Sequence, residues 1–108
     1  MTRLLVLALA LALAGAAQAR GNAAAGKEKA AQVCAACHGP TGAQPTAPEN
    51  PILAGQHYDY LVRALRDYKS GKRNNAVMKG FAASLSRQDI EDLAAWFSSQ
   101  ASGLRYQR

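Results

Sequence analysis

The sequence predicts an all-α chain of three to five helices joined by long loops, and three observations carry that expectation. Three segments place apolar residues at helical spacing behind a capping residue. No run alternates apolar and polar residues as a half-buried strand would. All four prolines, Pro40, Pro45, Pro48 and Pro51, fall with Gly39 and Gly42 between two of those segments and mark a long loop. At 108 residues the chain has room for one domain, which excludes a multidomain enzyme.

The first helix is expected from Ala23 towards Val33, with Asn22 as its cap. Ala23, Ala24, Ala25, Ala30 and Ala31 favour it, and Lys27, Glu28 and Lys29 can face water. Gly26 inside it costs about 1 kcal/mol relative to Ala, which suggests a close neighbour. The second helix reads from about Tyr58 to Ser70, with Tyr58, Leu61, Val62, Leu65 and Tyr68 on one face and Gly71 ending it. A polar loop follows from Lys72 to Val77, then a short helical turn from Lys79 to Leu85. Ser86-Arg87-Gln88-Asp89 is a capping box with Asp in place of Glu. It opens a helix running to about Ser99, whose apolar stripe is Ile90, Leu93, Ala94 and Phe97 with Trp96 beside it.

The amino terminus has a different character. Arg3 precedes an unbroken apolar run from Leu4 to Ala14, and Ala17-Gln18-Ala19 has the small residues a signal peptidase reads. As a helix that run rises only about 16 Å, roughly half the hydrocarbon thickness, so a cleaved secretory signal over 1–19 fits better than a membrane anchor. The domain is then 20–108, with a formal charge of +5 after Arg3 is lost from the +6 chain, and its location is the periplasm. No later segment can span a membrane. Residues 20–108 contain 19 apolar side chains larger than Ala or Cys, a thin core for a small domain. A cofactor, metal or cross-link should help fill it.

Cys34-Ala35-Ala36-Cys37-His38 is C-x-x-C-H, the haem attachment motif. Two thiols one helical turn apart can each add across a different vinyl group of one porphyrin, and the adjacent His38 then offers its imidazole to the iron from one face. Three other uses of these residues compete. A thioredoxin-like dithiol needs strands the sequence lacks. A zinc site would need Cys34, Cys37, His38 and His57, with two ligands awkwardly adjacent. A disulfide across two residues closes almost no loop and leaves His38 without a role. One covalent haem c is the expected cofactor. Met78, 40 residues beyond His38, is favoured as the distal ligand, because a lone methionine in an Asn-rich loop is a poor core residue. His57 is the rival ligand and would make a lower-potential bis-His site.

These residues resemble the class I c-type cytochromes over nearly all of 20–108, most closely the small periplasmic bacterial type whose units also occur in tandem as dihaem cytochromes. The resemblance rests on four segments. They are Cys34 to Gly39; Pro51-Ile52-Leu53-Ala54-Gly55; Tyr60-Leu61 to Gly71-Lys72-Arg73 with Asn75-Ala76-Val77-Met78; and Leu85-Ser86 to Asp92-Leu93-Ala94-Ala95-Trp96-Phe97. It implies a cytochrome c fold wrapped around one covalently bound haem. It makes Pro51 the residue whose carbonyl accepts from the other ring nitrogen of His38, and it implies that Gly26 meets Leu93 and Trp96 where the terminal helices cross. The sequence departs from the family at Val77, where Pro or Met is frequent, and in having one haem motif rather than the tandem pair.

Two filled axial positions leave no place for a substrate, so the expected function is a one-electron carrier and not an enzyme. The rivals are a haem subunit of a dehydrogenase complex and an open-site haem sensor or enzyme. Arg63, Arg66, Lys69, Lys72, Arg73 and Lys79 fall in one stretch with Asp67 as the sole acid. This stretch reads either as a solvated face or as a surface steering an acidic docking patch on a redox partner protein. Nucleic acid is not an expected partner of an exported haem protein.

Overall fold

The computed structural model describes residues 20–103. Those residues form five helices, with no strand among them: α1 Ala23–Val33, α2 Ala35–His38, α3 Tyr58–Ser70, α4 Ala76–Ala83 and α5 Arg87–Ser98. The proposed signal segment, 1–19, lies outside the described residues. Among the described residues no helix is long and apolar enough to cross a membrane.

Capping sets where the helices begin. Asn22 accepts from Ala25 N at 3.1 Å and opens α1. Ser86 and Asp89 form the complete capping box of α5, with both bonds at 2.9 Å. Gly71, at φ +82°, takes the left-handed conformation that ends α3. The helix before Leu85 begins earlier than the sequence suggests, at Ala76, because Asn75 is itself a cap and accepts from Met78 N at 3.0 Å.

α1 and α5 cross closely at Gly26. A Cβ there would collide with the Asp92 carbonyl and stand 2.9 Å from Trp96 Cβ. The expected contact with Trp96 is present, but the nearest backbone is that of Asp92, one residue before Leu93. The buried Asp92 carboxylate ties the same crossing, accepting from Asn22 N and Gln88 Nε2 at 2.7 Å each. Beneath it Ala30, Leu61, Val62, Ala82, Leu85, Ile90, Leu93, Ala94 and Phe97 form the buried core. Ile90 and Leu93 are its largest fully buried side chains, each worth about 1.5–3 kcal/mol in transfer free energy. This core joins α1, α3, α4 and α5 and leaves one side of the molecule open as a cleft.

Candidate haem site

The cleft has a volume of about 380 Å³, within the range of cofactor sites. Its two walls come from different parts of the chain, and Leu93 and Phe97 of α5 complete the lining. Val33, Cys34, Cys37, His38 and Pro51 line it from α1, α2 and the following loop, while Leu65, Tyr68, Met78 and Phe81 line it from α3 and α4.

The first wall is fixed by backbone bonds. The helix breaks at Cys34, where φ is −116°, and resumes as the single turn α2. Cys34 and Cys37 therefore sit one turn apart, and both open onto the cleft. The Cys37 carbonyl accepts from Thr46 N at 3.0 Å and from Asn50 Nδ2 at 3.1 Å, which folds the proline-rich loop back against the motif. The sequence reading missed Thr46 and Asn50, since nothing in a polar loop residue marks which carbonyl it will reach. His38 is only 6% exposed, and its Nδ1 lies 3.0 Å from the Pro51 carbonyl. A carbonyl can only accept, so Nδ1 carries the proton, and in the neutral ring Nε2 keeps its lone pair for a metal.

The two sulfurs are not bonded to each other. Burial pushes the Cys34 thiol up to about 11, so it is protonated at neutral pH. A redox dithiol needs the opposite shift. A zinc site fails on geometry, because no group of three His, Cys, Asp or Glu residues among the described residues converges to hold an ion. His57 is exposed at the cap of α3 and does not line the cleft.

Met78 is half-buried and lines the cleft. It stands on the first turn of α4 rather than in a loop, so the Asn75 cap and the helix backbone set its direction. Haem fits these residues: the cleft is largely apolar, both thiols reach it, and one imidazole nitrogen is held ready while the other is occupied. The basic stretch is less uniform than its sequence implies. Arg63 pairs with Asp67 at 3.8 Å and Arg66 with Glu91 at 3.6 Å. Lys69 donates to the Leu85 carbonyl, and Arg73 to the Tyr60 hydroxyl at 3.3 Å. Lys72 and Lys79 remain exposed and make no ion pair among the described residues.

An all-helical shell around an apolar cleft, with C-x-x-C-H on its wall, defines a c-type haem domain. The chain belongs to the cytochrome c family, whose family model, described as Cytochrome c, matches residues 23–101. It is 52% identical over 101 residues to cytochrome c4 of Pseudomonas aeruginosa, covering 93% of this chain and 49% of that protein. It is 46% identical over 83 residues to cytochrome c-554(548) of Halomonas halodenitrificans, covering 74% of this chain and 98% of that protein. The crystal structure of reduced recombinant cytochrome c4 from Pseudomonas stutzeri superposes with a TM-score of 0.71 at 43% identity, over 80% of this chain and 49% of that one. The chain thus spans about half the length of the cytochrome c4 relatives it matches. Its cofactor is the covalent haem c of this family.

Proposed function

We propose that this protein is an exported one-electron carrier in which Cys34 and Cys37 bond the haem, His38 is the proximal ligand and Met78 the distal one. One observation carries the reading: a single apolar cleft collects both thiols, the Pro51-anchored His38 and Met78. Haem supplies a one-electron ferric/ferrous couple. The protein's residues set that couple and protect it. The Pro51 carbonyl holds the His38 ring in one tautomer and raises its basicity. The Met78 thioether favours the ferrous state, and the Leu65, Tyr68 and Leu85 side chains keep water from the cleft and disfavour the extra charge of the ferric state. His38 and Met78 would hold the group from the chain itself and leave no place for a substrate, so the role is carrier rather than enzyme.

Residues 1–19 serve as the signal that delivers 20–108 to the periplasm. Exposed Lys72 and Lys79 steer an acidic patch on a redox partner towards the cleft mouth, where Val77 and Phe81 expose apolar surface. The purified holoprotein tests the assignment. Acid–acetone should leave haem on the polypeptide. The oxidised form should show the long-wavelength sulfur-to-iron band, and a redox titration should follow a single one-electron curve. Haem released into the solvent, or oxidised protein lacking that band, would defeat the covalent and the Met78 assignments respectively.

A further inference from the structure

The distal ligand arrives on a poorly buried stretch of chain. Residues 71–77 are all exposed, so no buried side chain between α3 and Met78 holds that connection in place. Its attachment to α3 comes from polar contacts. Arg73 N donates to the Asp67 carbonyl at 3.0 Å, and Lys72 N to Ser70 Oγ at 3.3 Å. Beyond these the Arg73 side chain turns back along α3. Its Nη1 donates to the Tyr60 hydroxyl at 3.3 Å, and its Cζ lies 4.8 Å from the centre of the Tyr68 ring, while Tyr68 also lines the cleft.

We propose that Arg73 is a positioning residue for the distal ligand: its guanidinium, spanning Tyr60 and Tyr68, clamps the α3–α4 connection and so holds Met78 in reach of the iron. The inference rests on the Met78 assignment above. Only Asn74 and Asn75 separate the clamp from α4, and the Asn75 cap joins directly to Met78 N, so displacement at Arg73 is transmitted with little slack. The chemistry requires arginine. A planar guanidinium can lie against one ring and donate in its own plane to a hydroxyl, whereas the compact ammonium of lysine cannot do both.

That difference separates clamping from steering. Arg73→Lys keeps the charge and loses the clamp, and Tyr60→Phe keeps the half-exposed ring and loses only the acceptor. The experiment titrates oxidised holoprotein with imidazole, which competes with the methionine for the iron, and follows the sulfur-to-iron band. Each single variant should bind imidazole roughly fivefold more tightly than wild type, the effect of losing one ordinary hydrogen bond. Far-UV circular dichroism and haem content should be unchanged. The double variant should bind no more tightly than the tighter single one, because both substitutions break the same contact. Imidazole affinity equal to wild type in both single variants would overturn the clamp. So would additive effects in the double variant, which would give the two residues separate roles. A wild type without the band would instead remove the Met78 assignment and take this inference with it.

Discussion

The two walls of the cleft are built by different means. On the proximal side, His38 is 6% exposed, its ring is bonded to the Pro51 carbonyl, and the Cys37 carbonyl accepts from both Thr46 and Asn50. The loop that does this is tied in turn to α5, since Gly55 N donates to the Phe97 carbonyl at 2.9 Å. On the distal side, Val77 is 64% and Phe81 45% exposed, and α4 is a short helix, capped by Asn75, that buries only Ala82 against the core. Regions with few buried apolar contacts open at lower free energy than the core. The wall of Cys34, Cys37 and His38 is therefore the firmer one, and the wall that carries Met78, the proposed distal ligand, is the one that opens more readily.

The largest effects should come from the proximal wall. His38→Ala removes the proposed proximal ligand and the bond to Pro51 together, and should leave almost no assembled holoprotein, read by haem staining and by loss of helical circular dichroism. Cys34→Ser or Cys37→Ser should reduce yield less, since one thioether and the ligand remain. Met78→Ala should behave differently from all three. The holoprotein should assemble, because α4 contributes only Ala82 to the buried core. It should lose the sulfur-to-iron band, bind carbon monoxide when reduced, and fall in potential by on the order of 0.1 V, a fraction of the roughly 0.8 V that axial ligands span. His57→Ala should change none of these. Equal loss of holoprotein in Met78→Ala and His38→Ala would erase the distinction between the walls.

The sequence showed the proximal chemistry more fully than the distal architecture. C-x-x-C-H is a local pattern, legible without tertiary context, and the helices Ala23–Val33 and Tyr58–Ser70 follow from caps and apolar spacing within each segment. The Pro51 contact came only from family resemblance, because no local rule links a carbonyl to a ring 13 residues earlier. The start of α4 was misplaced although its signal was present: Asn75 precedes Ala76-Val77-Met78 as a cap should. Asn-rich polarity obscured it, and a loop was read where a helix begins. The basic stretch left a solvated face and a steering surface both open for a different reason. Charge can be counted along a sequence, but whether Arg66 meets Glu91 or Arg73 meets Tyr60 depends on tertiary placement.

Partner association should respond to the distal rim alone. Lys79→Glu, or Lys72→Glu, should slow second-order electron transfer with an acidic partner several-fold at low salt and flatten its salt dependence, since rim charges act on encounter within a screening length of about 8 Å at physiological salt. Arg63→Glu should have a smaller effect, because Arg63 is already paired with Asp67. Stopped-flow rates that rise with added salt in the wild type would show that this rim does not face an acidic surface.

The smallest effects compare two caps of the same chemistry. Asn75→Ala and Ser86→Ala each remove one side-chain bond at a helix start, worth about 1 kcal/mol. On α5, which carries much of the core, Ser86→Ala should lower global stability by that amount and leave imidazole affinity alone. On α4, Asn75→Ala should raise imidazole affinity roughly fivefold with little change in the global transition. The α5 box has a pH signature as well. The Ser86 backbone N–H bonded to Asp89 holds that carboxyl below its usual range, helped by the Ser86 hydroxyl and Lys29. A depressed native value means stability present above the unfolded value of about 3.9 and lost as pH falls through the native one. Asp89→Asn, which can still accept from the Ser86 N–H but cannot ionise, should be less stable than wild type at neutral pH. The two should converge only in denaturant titrations carried below the depressed native value of Asp89. A gap that persists there would mean that the box acts through geometry alone, and the pH dependence would have to come from another carboxylate.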